Sequence, residues 1–329
     1  MSHSIAGTGG TAVEETPSSD DEFWKSRLPD RRLARWVSFY LAFQRIAPVP
    51  ETRTVAALNS VVVVIDLDTP VRHPVAGSPL EKASPVVGLS TKPMVYTRVG
   101  RERGVIVELT PLGARALFGL PLREIGQTSV GLDDLLGARA RFLWEELQEA
   151  RDSNHRFRIL DRRLSSWLLD EPELPNSLDR SWCNLTISGG AVKIDDLAER
   201  AGLSRQHLAT RFHREIGLPP KAVGRIARCH YAIRLLTGTN PPSLPALAAQ
   251  CGYTDQAHLN RDFRLLIGST PTALRSPGTT TDLHIGSLIS LRPTPPTGTN
   301  LEAGRPLSWS EPQPLSSITS RSAAAGPPD

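Results

Sequence analysis

DLAERAGLSRQHLATRFHREIGLPP, from Asp196 to Pro220, and ALAAQCGYTDQAHLNRDFRLLIGSTP, from Ala246 to Pro271, are two copies of one pattern. Leu197, Ala198 and Gly202 match Leu247, Ala248 and Gly252 at an offset of 50, whereas Leu208, Phe212, Gly217 and Pro220 match Leu259, Phe263, Gly268 and Pro271 at 51. One residue is therefore inserted between a turn and the segment that follows it. In the first copy, Leu197, Ala198 and Ala201 form a narrow apolar stripe, and Gly202 offers the permissive backbone that ends a helix. Ser204 stands where an N-cap is needed; Thr254 or the adjacent Asp255 serves the second copy. Leu208 with Phe212, and Leu259 with Phe263, are spaced i and i+4 and mark the buried face of a second helix. Gly217 and Gly268 end these helices, and the prolines beyond block continuation. Each copy is thus a helix, a tight turn and a helix, at about 194–215 and 244–266.

If those faces point inward, the opposite faces meet solvent or a partner. Arg205, Gln206, Ala209 and Thr210 lie outward in the first copy, and Gln256, Ala257, His258, Asn260 and Arg261 in the second. Arg can bond guanine O6 and N7 together, Gln and Asn can pair with adenine, and Ala or Thr can meet a thymine methyl. Any one of these could be an ordinary solvated side chain, but two such faces in register favour base-edge contact. Ser204, Arg211, Arg214, Thr254 and Arg264 are candidates for phosphate contact, with Arg200, Arg225 and Arg228 behind them. Between Ala191 and Arg275 twelve Lys and Arg stand against six Asp and Glu, so this segment is near +6 in a chain of net charge +4. A basic segment on a near-neutral chain suits phosphate contact.

The stretch from about Ala191 to Arg275 resembles the DNA-binding domain of the AraC/XylS family of bacterial transcription regulators. The LAxxxGLS turn, the LxxxF helix, the GLPP exit, a connecting helix from roughly Val223 to Leu236, and GYTDQAHLNRDF followed by GSTP carry the likeness. The resemblance implies two helix-turn-helix subdomains joined by a long helix, with recognition helices in successive major-groove segments about one DNA turn, roughly 34 Å, apart. It implies double-stranded DNA and RNA polymerase as partners, and a role as activator or repressor. Family members often carry arginine where this chain has Thr210, so the second copy, which keeps Arg261, is expected to supply more of the base-specific energy.

The N-terminal half reads differently. Trp36–Ala42, Ser60–Leu67, Val86–Leu89, Met94–Val99 and Val105–Leu109 are strand-like and separated by Pro and Gly. Ala114–Phe118, Leu132–Leu136, Ala138–Arg151 and His155–Leu169 then have helical periodicity, the last two forming a hairpin. GVIVELTPLGARALFGLPLREIG, Gly104 to Gly126, followed by LDDLLG, is similar to the N-terminal domain of a subset of AraC-type regulators from actinobacteria, in which two glycines more often stand at Leu112 and Gly113. That likeness implies a cupin-like sensory or dimerising domain, hence a small-molecule effector and a homodimer as further partners. Val61, Val63 and Ile65 could line a ligand-binding interior, though core packing is the commoner use of such residues.

The expected class is α+β: a small β-barrel or sandwich with a helical hairpin, then an all-α double helix-turn-helix domain. The boundaries expected are a disordered tail over 1–27, a sensory or dimerisation domain over 28–174, the DNA-binding domain over 175–276, and a disordered Pro/Ser/Thr-rich tail over 277–329, in which Leu283–Leu291 could dock transiently. No run of 18 apolar residues and no basic-then-apolar leader is found, so a cytoplasmic protein without membrane contact is expected. Cys183, Cys229 and Cys251 show no metal-ligand spacing and fit small hydrophobes. The strand region offers a metal only His73, expected in a loop beside Pro74. With no GxSxG, P-loop or cysteine cluster in context, no catalytic residue, metal or cofactor is expected. A scaffold using the helical half to bind protein is the rival reading; it would leave the two polar faces unexplained.

Overall fold

Residues Phe39–Phe43 are all buried, and successive side chains turn to opposite faces, so the sheet has two apolar faces. Tyr40 and Ala42 enter one buried cluster, while Phe39, Leu41 and Phe43 enter another. The computed structural model describes residues 23–68, 71–74, 84–126, 129–168, 176–275 and 281–282.

The strands are β1 (Phe23–Arg27), β2 (Val37–Val55), β3 (Val61–Asp66), β4 (Val71–Pro74), β5 (Pro85–Val87), β6 (Met94–Leu109), β7 (Ser129–Gly131) and β8 (Thr281–Asp282). The main path runs β1-β2-β6-β3-β5-β7 and is antiparallel; β4 pairs with β6, and β8 pairs in parallel with β2. The path ends at β1 and β7 without closing, so the α+β class holds and the sheet is open rather than a closed barrel.

Several expected boundaries move. Met94–Val99 and Val105–Leu109 are one strand, because the chain bends at Gly100, φ 85°, beside a register shift, and the ladder with β2 continues on either side of it. Trp36–Ala42 extends to Val55 because Pro48 and Pro50 fall within a register shift between Ala47 and Glu51, where no ladder N–H is demanded of them. Phe23–Arg27, expected within the N-terminal tail, pairs with β2, and Trp24 stacks on Phe43 at 5.6 Å. At the other end Thr281–Asp282 joins β2, so the tail expected to be unstructured from 277 touches the sheet there. Leu283–Leu291 lies outside the described residues. His73 lies in strand β4 opposite Thr97, not in a loop; Pro74 is tolerated as the last residue of that short strand.

Helices follow. They are α1 (Pro111–Phe118), α2 (Leu132–Leu136), α3 (Ala138–Glu149), α4 (Ser153–Leu168), α5 (Asn176–Ile187), α6 (Ile194–Arg200), α7 (Arg205–Ile216), α8 (Pro220–Thr237), α9 (Leu244–Gln250), α10 (Gln256–Ile267) and α11 (Pro271–Leu274). Helix α1 starts three residues earlier than the apolar periodicity suggests, because Thr110 caps it by accepting the Gly113 N–H and Pro111 sits at its first position. A Cβ on Gly113 would lie 2.0 Å from the Trp36 carbonyl oxygen, so this position admits only glycine.

Val61, Val63 and Ile65 belong to the buried cluster that continues into the helices, which makes them core rather than ligand lining. That cluster runs without interruption from Leu33 to Leu274, so sheet and helix-turn-helix units share one interior. The sheet also buries a charge network absent from the sequence reading. Arg45 Nε meets Glu102 Oε2 at 2.5 Å, Arg98 Nη1 meets the same oxygen at 3.2 Å, and Arg98 Nη2 reaches Glu51 at 2.7 Å.

Candidate nucleic-acid interface

Gly202 and Gly252 decide the two turns. Their φ values are 66° and 69°, a left-handed conformation that costs glycine nothing. The N–H of the next residue reaches back to the helix in the same way in each copy: Leu203 to the Ala198 carbonyl and Tyr253 to the Ala248 carbonyl, both at 2.9 Å. The copies then diverge by the inserted residue. Ser204 caps α7 by accepting the His207 N–H at 3.2 Å, and Asp255, not Thr254, caps α10 by accepting the His258 N–H at 2.6 Å. Thr254 stands one residue outside the helix, its hydroxyl 3.5 Å from His258 Nδ1.

From the caps onward α7 and α10 correspond at an offset of 51. Leu208 and Phe212 are fully buried, as are Leu259 and Phe263. Of the expected outward residues, Arg205, Gln206, Thr210, Gln256, Ala257 and Arg261 are exposed, while Ala209, His258 and Asn260 are half-buried at the edges of the face. Arg205 pairs with Asp195 at 3.1 Å in a solvent-exposed contact that contributes little. The Thr210 hydroxyl donates to the Gln206 carbonyl at 3.0 Å. Arg261 and Arg264 are exposed and have no ion pair among the described residues.

The phosphate candidates separate. Arg211 is half-buried and Arg214 pairs with Glu215 at 2.6 Å; both line a cavity shared with α1 of the N-terminal half. Arg225 is held by Asp262 at 2.5 Å, which raises the pKa of its guanidinium, and Arg228 lies over the Tyr253 ring at 5.6 Å. These two arginines brace α8 against the second unit. The sequence reading passed over His207 and His213, both exposed on α7. Applying the offset of 51 to every residue would have found them, opposite His258 and Arg264.

Both recognition-type helices are gripped at their C-terminal ends. The Ala57 N–H donates to the Leu266 carbonyl at 2.7 Å, and Gly268, which ends α10, lies against Thr54 and Pro93. Gly217, which ends α7, lies against the Leu122 backbone in a 3-10 turn, Leu122–Glu124. The N-terminal ends, with Ser204 and Asp255, stay open.

Between them, His230 of α8 is fully buried and its Nε2 lies 2.9 Å from the Ala57 carbonyl. Burial lowers its pKa from 6.5 to about 4. The folded protein therefore holds it neutral while the unfolded chain takes up a proton below 6.5. Its contribution is complete above that pH and is lost as pH falls from 6.5 towards 4. His230→Gln keeps a donor without titrating. The difference between wild-type and variant unfolding free energies is expected to slope by about one proton across that window, measured in urea at several pH values; parallel curves would refute it.

The cysteines fit the hydrophobe reading: Cys229 and Cys251 are buried, and burial drives the Cys229 thiol well above its usual pKa and the Cys251 thiol up to about 11. Among the described residues no group of three His, Cys, Asp or Glu could hold a metal, and no helix is long and apolar enough to cross a membrane.

Residues 197–276 match the family model described as a helix-turn-helix domain, and residues 25–131 match a domain of unknown function (DUF6597). The C-terminal segment is a helix-turn-helix domain by this match. Across 88 residues the chain is 33% identical to the HTH-type transcriptional regulator Rv1931c of Mycobacterium tuberculosis, covering 27% of this chain and 34% of that protein. The chain thus spans about a third of the curated relative it matches. Among solved structures it is similar to ToxT from Vibrio cholerae, at 11% identity and a TM-score of 0.41 over 71% of this chain and 96% of that one. It is also similar to the xylose-binding transcription activator xylR, at 22% identity and a TM-score of 0.28 over 33% and 29%. The matched segment spans both copies of the repeat, from Leu197 in α6 to the residue after Arg275.

Proposed function

We propose that this chain is a sequence-specific DNA-binding transcription regulator, and that α7 and α10 enter successive major-groove segments of one duplex. The observation that carries the reading is the correspondence of the two helices. Each has a capped, open N-terminus, a buried Leu and Phe, and a polar outward face, and each is anchored by its far end. An open helix N-terminus suits a phosphate, because its free N–H groups and dipole favour negative charge.

On this reading Arg205, Gln206, Thr210 and His213 address one segment, and Gln256, Ala257, Arg261 and Arg264 the next, with Ala209, Asn260 and His258 at the margins. Ser204 and Thr254 stand beside phosphates. Arg211 and Arg214 are the weakest of the phosphate candidates, since both border the N-terminal half. The domain boundary proposed near 175 is supported by α5, which packs on α8 of the helical half. The N-terminal half is assigned a sensory or dimerising role, with RNA polymerase as the downstream partner.

Binding of the full chain to genomic fragments enriched in vitro is expected to weaken steeply with salt, as counterion release requires. Absence of salt-dependent binding would overturn the reading. Arg261→Ala is expected to cost about 1–3 kcal/mol and to relax preference at one base pair, whereas Gln206→Ala on the same operator costs less. Fluorescence anisotropy on operators varied one position at a time checks this. An equal loss on every sequence would assign Arg261 to a phosphate instead.

A further inference from the structure

Two cavities border the sheet half. One, lined by Phe43, Val62, Val64 and Tyr96 among others, has a volume of about 30 Å3, which suits a single water. The second, about 140 Å3, lies where α1, α5 and α7 meet, and Leu112, Leu178, Trp182 and Ile216 form its apolar wall. An apolar cavity of about 150 Å3 accommodates benzene, so the space corresponds to one ring.

Its charged lining is unbalanced. Arg115, Arg211 and Arg214 face it together with Glu215 and Asp179. Both oxygens of Glu215 are taken, Oε2 by Arg115 and Oε1 by Arg214. Arg211 has no hydrogen bond or ion pair among the described residues, and the buried Nε of Arg115 has no acceptor. Burial pushes the Asp179 carboxyl up to about 6, so it stays largely ionised at neutral pH. Three guanidiniums against two carboxyls leave one positive charge, which a single anionic group would neutralise.

We propose that this cavity binds a small amphipathic carboxylate, with Arg211 and Arg115 Nε holding the carboxylate and Leu112, Leu178 and Trp182 enclosing a ring-sized apolar body. The occupant bridges the two halves, since Leu112 and Arg115 belong to α1 and Arg211 and Arg214 to α7. The site does not depend on DNA being the protein's partner, and its test uses no DNA.

The test is calorimetric titration of the full chain with phenylacetate as probe and phenylacetamide as its neutral counterpart. Phenylacetate is expected to show one saturable site, and the amide to bind at least about tenfold more weakly, ~1.4 kcal/mol. Arg211→Gln is expected to lose at least the same factor, while Arg211→Lys retains most of the affinity because it keeps the charge. Thermal melts establish that the variants fold, and Arg115→Gln replaces Arg211→Gln should the latter melt early. No saturable heat with phenylacetate, equal affinity for the amide, or unchanged affinity in the folded glutamine variant would each overturn the proposal.

Discussion

Glu102→Ala is expected to cost about 3–5 kcal/mol of folding stability, because it leaves uncompensated charge in the interior of the sheet. Glu102 is 1% exposed and sits between two guanidiniums that are themselves 5% and 3% exposed, those of Arg45 and Arg98. With the carboxylate present, Arg45 is further held by the Tyr96 hydroxyl at 2.8 Å and lies over the Trp24 ring at 5.4 Å. Without it, Arg98 keeps Glu51, while Arg45 loses the buried carboxylate that meets its Nε at 2.5 Å. Urea unfolding measures the loss as a lower midpoint at unchanged slope. A loss below about 1 kcal/mol would mean that solvent reaches the network and screens it as it does a surface pair.

Phe263→Ala is expected to cost a similar amount, about 3–5 kcal/mol, by leaving a ring-sized void where the last turns of α10 meet α8 and α9. Its consequence reaches further than stability. The side chain that fixes which face of α10 is outward also fixes where Arg261 points, so DNA affinity is expected to fall even at temperatures where the variant remains folded. Phe212→Ala in α7 is the matching experiment on the first unit. If the second unit supplies more of the base-specific energy, Phe263→Ala reduces discrimination between operators more than Phe212→Ala does at equal stability loss. Equal reductions, measured by anisotropy on matched and mismatched duplexes, would count against that inequality.

The repeat was legible in full from the chain. Its turns need φ near +66° and +69° at Gly202 and Gly252, its helices need caps at Ser204 and Asp255, and its buried faces need Leu and Phe four residues apart. All of these are local requirements, and local requirements leave marks at fixed spacing. Even the one-residue insertion appeared in the sequence as a change of offset, and the structure converts it into a cap displaced from Thr254 to Asp255.

Less of the sheet was legible. Prolines and glycines were read as breaks in what are two long strands, because whether Pro48, Pro50 or Gly100 interrupts a ladder depends on the partner strand and its register. Strand β1 lay hidden in an expected tail for the same reason: five residues, Phe23–Arg27, make a strand only when β2 offers an edge. The roles of the arginines were the least legible. Arg45, Arg98, Arg211, Arg225 and Arg261 look alike in a chain rich in arginine, yet they form a buried network, face a cavity, brace a helix or stand free in solvent.

By itself the sequence determined the two helix-turn-helix units and the α+β class, since both follow from hydrogen bonds and burial within short stretches of chain. Only the tertiary structure decided that the sheet half holds the far ends of α7 and α10, through Ala57, Gly217 and Gly268, and that a charged cavity opens where α1, α5 and α7 meet. The contacts at Ala57, Gly217 and Gly268 join residues more than ninety positions apart. They arise from where the helix ends come to rest against the sheet, and a backbone carbonyl or a glycine at such a contact carries no side-chain pattern that announces its partner.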